Sequence, residues 1–242
     1  MPVLPAPPHL SPVLAGLALA AALPLSPQAA AAQARDGLPL AAVGRVLVRP
    51  EAPDRGCTGV LVGPSTVVTA RHCVFDGAGG TAAPADVRFV AGLTDGRPAA
   101  EGRVAAIYTV PAPAGAGPLE RLESDLARLT LSAPLAGITP VDVTRSFAAD
   151  QTFAIAGYPY AAPLSPRTRT CRLVDDLRPL LALDCAVGGG WSGAPVLLQR
   201  NGRWSVTAIV VARTGDPAAR SIALRLPAAL MGLAPAPRPA QP

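Results

Sequence analysis

The chain has 242 residues, of which 50% are hydrophobic and only 15% are charged. This length allows one large domain or two small ones, and the apolar content excludes a fully disordered chain despite 29 prolines and 23 glycines. The 21 basic residues, all of them arginines, exceed the 16 acidic residues and give a net charge of +5. This is a mild excess without an arginine-rich run, so the sequence argues against a nucleic-acid partner.

Near the N-terminus, an apolar run extends from Leu10 to Leu25, and no charged side chain precedes Arg35. Small residues occupy the −3 and −1 positions of a cleavage site after Ala34, and the run is too short to span a bilayer comfortably. We therefore expect residues 1–34 to be a signal peptide, with an uncleaved membrane anchor as the alternative. Once it is removed, we expect a secreted or periplasmic protein without stable membrane insertion.

Short runs rich in valine, isoleucine, leucine and threonine recur along the rest of the chain, with glycine, proline or aspartate between them. This pattern predicts an antiparallel all-β sandwich or barrel system, since alternating βα units would show helical periodicity between the strands. The twelve predicted strands are Val43–Val48, Thr58–Val62, Thr66–Ala70, Val87–Ala91, Val104–Val110, Leu126–Leu131, Thr152–Ala156, Thr168–Val174, Leu180–Ala186, Ala194–Leu198, Trp204–Ala212 and Ser221–Leu226.

A segment near 132–139 that contains proline and glycine separates the strands into two halves. We expect the domain boundary there, with one β-domain over 35–136 and a second over 137–233.

Three further segments lie outside this strand pattern. A stretch rich in proline, alanine and glycine, Ile107–Leu119, predicts a long surface loop. Near the C-terminus, Pro227–Leu233 is predicted to form a short helix, and Ala234–Pro242 a disordered Pro/Ala-rich tail.

Four cysteines allow three disulfide pairings. Cys57 and Cys73 lie at equal distances from a Gly-Pro-Ser-Thr turn sequence, and Cys171 and Cys185 lie at equal distances from a turn next to an Arg-Pro sequence. Residues equidistant from the turn of an antiparallel hairpin lie opposite each other, close enough for their sulfurs to bond. This favours the pairs 57–73 and 171–185, each stabilising the fold by about 3 kcal/mol. A zinc site is disfavoured, because the chain lacks a Cys-x-x-Cys pair.

Three segments carry residues suited to catalysis. His72 follows a predicted strand and is the only histidine after the predicted signal peptide. Asp125 precedes a predicted strand, and Ser192 lies between glycines, where a sharply bent backbone can expose a hydroxyl and turn amide N–H groups toward one point. Each residue alone also fits a structural interpretation: a buried structural histidine, a turn aspartate and a plain β-turn.

Together these segments resemble the chymotrypsin/trypsin family of serine peptidases. Residues Thr69–Cys73 are similar to the family's Thr-Ala-Ala-His-Cys, Asp125–Leu129 to Asp-Ile-Ala-Leu-Leu, and Gly190–Pro195 to Gly-Asp-Ser-Gly-Gly-Pro. The order His, Asp, Ser also separates this family from subtilisins and α/β-hydrolases. The resemblance implies two antiparallel six-stranded β-barrels with the active site between them and a short C-terminal helix.

The resemblance also implies a mechanism. Ser192 would be the nucleophile, His72 the general base and Asp125 the residue that orients the imidazole, while the backbone N–H groups of Gly190 and Ser192 would form the oxyanion hole. We expect a monomeric secreted endopeptidase that forms an acyl-enzyme with a protein or peptide substrate and needs no metal or organic cofactor. The alternative is a catalytically silent relative that acts as a secreted binding module.

Two departures from the family pattern bear on regulation and specificity. Trp191 stands where animal enzymes carry the aspartate that pairs with a new N-terminus, so we expect packing of the indole to set the oxyanion loop. Ala186 stands where trypsin-like specificity places an aspartate, and glutamate-preferring relatives use a pocket histidine that this chain lacks. The sequence therefore predicts a neutral, apolar preference, with a substrate pocket formed by Ala186, Val211 and Arg213.

Overall fold

The computed structural model describes residues 37–49, 56–148, 150–218 and 220–227. Within these ranges the chain forms thirteen strands, one α-helix, α1 (Pro118–Glu123), and three short 3-10 turns. None of the helices in the described ranges combines the length and hydrophobicity that a membrane span requires. The predicted signal peptide, the helix predicted from Pro227 onward and the predicted C-terminal tail lie outside the described residues, apart from Pro227 itself.

The first barrel is a closed ring of six antiparallel strands in the order β1-β2-β3-β6-β5-β4. Its interior is filled by branched aliphatic side chains around the fully buried ring of Phe89. Gly44 on the neighbouring strand makes room for this ring, because a Cβ there would lie 2.6 Å from Cε2 of Phe89. The strands are β1 (Val43–Val48), β2 (Cys57–Gly63), β3 (Thr66–Thr69), β4 (Val87–Ala91), β5 (Ala100–Thr109) and β6 (Ala127–Leu131).

The second barrel is a ring of six antiparallel strands in the order β11-β8-β9-β10-β13-β12, which the pairing of β11 with β12 closes. A further strand, β7 (Asp142–Val143), pairs in parallel with the outer side of β12. The ring strands are β8 (Thr152–Gly157), β9 (Arg167–Leu177), β10 (Leu180–Leu183), β11 (Pro195–Arg200), β12 (Arg203–Arg213) and β13 (Ser221–Arg225).

All twelve predicted strands are present, and the predicted two-barrel fold is confirmed. The predicted loop over Ile107–Leu119 is wrong at both ends, because β5 continues to Thr109 and α1 begins at Pro118. Proline suits the first turn of a helix, and the Glu120 carboxylate accepts a hydrogen bond from the N–H of Gly117 at 2.7 Å, which stabilises the helix start.

The connection between the barrels is bonded to both of them. The N–H groups of Leu135 and Val141 donate to carbonyls of the first barrel, Pro64 and Leu61, at 3.0 and 2.9 Å, and Thr144 N–H donates to a β12 carbonyl at 2.9 Å. The side chains of Leu135 and Val141 are buried. The connection is therefore part of the packed structure.

Both predicted disulfides are present. Cys57 bonds Cys73 with a Cα–Cα distance of 5.8 Å, and Cys171 bonds Cys185 with a Cα–Cα distance of 5.1 Å. The first links the start of β2 to the turn after β3, and the second links β9 to the residue two positions after β10. Each disulfide therefore cross-links one hairpin, and each barrel contains one such disulfide.

Candidate active site

His72 and Asp125 meet at one edge of the first barrel. His72 lies in the 3-10 turn Arg71–Val74 directly after β3, and Asp125 lies between α1 and the start of β6. Because β3 and β6 are antiparallel neighbours, with Thr69 paired to Ala127, the end of one strand and the beginning of the other lie side by side.

Two hydrogen bonds join these residues. Oδ2 of Asp125 lies 2.7 Å from Nδ1 of His72, and Oδ1 of Asp125 accepts a hydrogen bond from the backbone N–H of His72 at 2.9 Å. The Asp125 side chain is 11% exposed and that of His72 is 39% exposed. The aspartate thus holds the ring from a sheltered position, while the imidazole remains accessible from the cleft.

Ser192 lies in a tightly bent loop, Gly188–Ala194, which we call the nucleophile loop. Trp191 N–H donates to the Gly188 carbonyl, and Ala194 N–H donates to the Trp191 carbonyl at 2.9 Å, so Ser192 stands between two successive turns. Gly193 has a φ of +78°, and a Cβ at this position would overlap the carbonyl oxygen of Thr58. The glycine after the serine therefore allows the second barrel's loop to contact the backbone of the first barrel.

The backbone N–H groups of Gly190 and Ser192 are available as donors. Neither has an acceptor among the residues that the structure describes. Gly190 has a φ of +90°, and a Cβ there would overlap the carbonyl oxygen of Tyr158, so this backbone conformation requires glycine. Two unpaired N–H groups, one at the serine and one two residues before it, are suited to hold a developing negative charge.

Thr58 fixes the nucleophile loop to the first barrel, and sequence reasoning missed it. Its side chain is fully buried; Oγ1 donates to the Gly190 carbonyl at 2.7 Å and accepts from the Tyr158 N–H at 3.0 Å. Its own N–H donates to the Ser192 carbonyl at 2.9 Å, and its carbonyl accepts from the Thr69 hydroxyl at 2.7 Å. In the sequence, a threonine within a valine-rich run is typical of any β-strand, so no signal marks this role.

The nucleophile loop and His72 lie on facing sides of the cleft. A Cβ at Gly193 would lie 3.0 Å from the backbone nitrogen of Ala70, two residues before His72. Among the described residues, no hydrogen bond joins the Ser192 hydroxyl to the imidazole. Hydrogen bonds of this kind are often long before substrate binds.

Trp191 is 3% exposed and packs into the core of the second barrel. The guanidinium of Arg169 lies 5.8 Å from the centre of its ring. The indole therefore anchors the middle of the nucleophile loop.

A cavity of about 390 Å³ lies beside Ser192. Of the three residues predicted for the pocket, Arg213 lines this cavity, whereas Ala186 and Val211 do not. Val211 is buried in the core, and its neighbours Val210 and Ala212 line the cavity in its place. The pairing register of β12 with β13 shifts between Val210 and Ala212, so simple alternation does not hold along this stretch. The lining residues are Tyr160, Val187, Gly188, Gly189, Ser192, Val210, Ala212 and Arg213.

Ligand atoms of Cys57, His72 and Cys73 lie within 4.8 Å of one another. The two sulfurs are bonded to each other, so neither can act as the thiolate that a metal ion would require. The donor set therefore does not fit a metal ion.

A family model described as a trypsin-like peptidase domain matches residues 57–209. No curated protein matches the chain. A Glu endopeptidase in complex with MPD superimposes with a TM-score of 0.66 and 16% identity, over 80% of this chain and 88% of that one. The thermostable serine protease AL20 from an extremophilic microorganism gives a TM-score of 0.61 at 20% identity, over 77% of this chain and 91% of that one.

A third solved structure, the protease Anisep from Arthrobacter nicotinovorans, gives a TM-score of 0.58 at 21% identity. The match covers 77% of this chain and 90% of that one. At these identities the structural similarity shows a shared fold.

Proposed function

This chain belongs to the trypsin-like peptidase domain family of serine-type endopeptidases, and from that membership we propose that it cleaves peptide bonds through Ser192, His72 and Asp125. The observation that carries the proposal is the distance of 2.7 Å between Oδ2 of Asp125 and Nδ1 of His72. A proton on Nδ1 leaves the other ring nitrogen, Nε2, free to accept a proton from a hydroxyl on the cleft side.

In the proposed reaction, the Ser192 oxygen attacks the substrate carbonyl while Nε2 of His72 takes the hydroxyl proton. The imidazolium then gives this proton to the leaving amine, which departs as the acyl-enzyme forms. Water repeats the sequence and releases the acid product. Asp125 keeps the ring in the reactive tautomer and stabilises the imidazolium.

The Gly190 and Ser192 N–H groups serve as the oxyanion hole in this proposal. Their availability as donors and the anchoring of the nucleophile loop support this role, because donors that are fixed before the reaction need no reorganisation as charge develops. Removing one such donor typically lowers kcat by about 10²- to 10³-fold.

We further propose that the protein acts on protein or peptide substrates after export. Two disulfides support an oxidising compartment, because such bonds are rare where thiols are kept reduced. The apolar run before Arg35 supports a signal peptide.

The first test is covalent labelling. The purified protein is incubated with a fluorophosphonate, which reacts with a serine activated by a neighbouring base. We expect one adduct, on Ser192, in the wild-type protein and none in Ser192→Ala. A folded wild-type protein that forms no adduct would indicate a silent binding module.

The second test is the activity of Ser192→Ala on a casein or peptide-library substrate. We expect kcat to fall by roughly 10⁶-fold, the loss seen when such a nucleophile is removed from a triad. The urea midpoint should remain close to that of the wild type, because only one hydroxyl is lost and no buried hydrogen bond depends on it. Unchanged turnover in the folded variant would contradict the assignment of Ser192.

A further inference from the structure

The cavity beside Ser192 contains a single ionisable cation. Tyr160 contributes its ring, and the remaining lining residues apart from Ser192 and Arg213 are glycines and small aliphatic side chains. Arg213 is the last residue of β12, where the strand ends at the edge of the cleft. An arginine side chain in an otherwise neutral lining sets the sign of the electrostatic potential there, because no other described lining residue carries a charge.

The charge of Arg213 is uncompensated in the part of the chain that the structure describes. Its guanidinium makes no ion pair or hydrogen bond there. Other arginines of the second barrel differ: Arg172 is paired with Asp184 at 3.2 Å, and Arg225 is paired with Asp176 at 2.8 Å. The five donors of this guanidinium are therefore available to a ligand.

The carboxylate beside His72 is already engaged. Asp125 binds His72, and no acidic residue is among those that line the cavity in the described structure. Arg169 adds a second positive charge close to Trp191, the residue before the serine. The surroundings of the cavity thus favour an anion.

We propose that the cavity takes an acidic side chain of the substrate, glutamate or aspartate, whose carboxylate pairs with Arg213. The inference rests on the proposed function, because the side chain concerned is that of the residue whose carbonyl Ser192 attacks. It replaces the neutral preference predicted from the sequence, which depended on Ala186, a residue that does not line the cavity, and on the absence of a pocket histidine. Here an arginine supplies the positive charge instead of a histidine. The planar guanidinium can bind a carboxylate through two parallel hydrogen bonds, so Arg213 selects by geometry as well as by charge.

The test compares peptides that differ only at the residue before the cleaved bond, with Glu, Gln, Leu or Arg at that position. We expect kcat/KM to be roughly 10- to 100-fold higher for Glu than for its uncharged isostere Gln, as a charge-assisted hydrogen bond would give. Arg213→Gln should remove this ratio. Arg213→Glu should reverse the preference toward the Arg peptide.

Arg103→Gln is the matched control. Arg103 is an exposed residue of β5 in the first barrel and does not line the cavity, yet its replacement changes the net charge by the same amount. The Glu:Gln ratio should remain at the wild-type value in this variant. A fall equal to that in Arg213→Gln would assign the preference to overall charge and overturn the proposal.

A binding measurement separates this inference from the proposed function. Ser192→Ala, which cannot form an acyl-enzyme, is titrated with fluorescent Glu and Gln peptides. Tighter binding of the Glu peptide that disappears in Ser192→Ala/Arg213→Gln supports the acidic subsite even if the wild-type protein cleaves nothing. Cleavage by the wild-type protein with equal kcat/KM for Glu and Gln would overturn the subsite and leave the peptidase assignment intact.

Discussion

The hydroxyl of Thr58 holds two buried backbone groups that have no alternative partner in the described structure. One is the Gly190 carbonyl, which belongs to the same residue as a proposed oxyanion donor, and the other is the Tyr158 N–H. A single side chain of the first barrel therefore determines how one peptide group of the nucleophile loop is oriented. Thr58 is a positioning residue, since it acts through Gly190.

Thr58→Val tests this role, because valine has nearly the same shape and lacks the hydroxyl. Leaving two buried groups unpaired should lower the free energy of unfolding by about 2–3 kcal/mol, measured by urea denaturation. The freed loop should also lower kcat by about 10- to 100-fold with little change in KM. Thr58→Ser keeps the hydroxyl and should restore kcat; a serine variant as slow as the valine variant would contradict the role.

Asp125→Asn should lower kcat by about 10⁴-fold, the magnitude known for this substitution in such triads. The amide oxygen can still accept the His72 backbone N–H, but then the NH₂ group faces Nδ1. Nδ1 must become the acceptor, so the proton moves to Nε2 and the ring can no longer receive a proton from Ser192. The kinetics should be compared with the urea midpoint, which we expect to change by far less than the activity.

Among elements, the long strands could be predicted from the sequence and the short pieces could not. Runs such as those in β1 and β4 are short, rich in valine and bounded by turn residues, which is the pattern of a buried strand. β7 has two residues, too few for any periodicity, and its pairing with β12 is set by tertiary contacts. Helix α1 has only six residues, so its turn sequence looks like a loop.

The candidate site also contains residues that the sequence predicts and residues that it does not. His72, Asp125 and Ser192 could be found because their flanking residues resemble a family motif. The lining of the cavity could not, because it depends on where β12 ends and on the register shift between Val210 and Ala212: Val211 and Arg213, two positions apart, belong to the core and the cavity respectively. Such a distinction requires the register of the sheet.

The two disulfides should contribute similarly to stability and differently to activity. Their sequence separations are 16 and 14 residues, so loop-closure entropy predicts a loss of about 3 kcal/mol on replacing either pair of cysteines by serine. The 57–73 bridge adjoins both Thr58 and His72, so its removal should also lower the kcat of the folded protein. Removal of the 171–185 bridge should leave kcat nearly unchanged.

This prediction is checked by urea denaturation and by kinetics at low urea, where both double variants remain folded. Equal kcat values in the two variants would contradict a special role for the first bridge.

At the scale of the whole molecule, Tyr158 links the barrels. Its hydroxyl, at the end of β8, donates to the Val43 carbonyl of β1 at 3.3 Å, and its side chain is fully buried. Burial raises the pKa of Tyr158 to about 12, although the backbone of Leu93 and the charge of Arg45 act in the opposite direction. The unfolded chain releases this proton at its ordinary pKa of about 10, before the folded protein does.

The contribution of Tyr158 to the free energy of unfolding should therefore be fully present below pH 10 and decline as the pH rises to 12. The expected loss in unfolding free energy over this window is about 2–3 kcal/mol. Tyr158→Phe should not show this component, and it should fold well at neutral pH because Val43 keeps a hydrogen bond from the Gly92 N–H at 2.9 Å. Parallel alkaline declines in both proteins would contradict the assignment.

The hydrogen-bonded connection between the barrels has a consequence for autolysis, the cleavage of one copy of the protein by another. A peptidase can cut another copy only where several residues of backbone can leave their own hydrogen bonds and extend through a cleft. The backbone is bonded to the first barrel at Leu135 and Val141 and to the second at Thr144, and the side chains of Leu135 and Val141 are buried. Autolysis at these residues would therefore require the connection to leave both barrels first. The segment that joins the two barrels is thus protected from autolysis. During long incubation, cleavage should occur in outer loops such as 110–117, and a cut there leaves the two barrels attached.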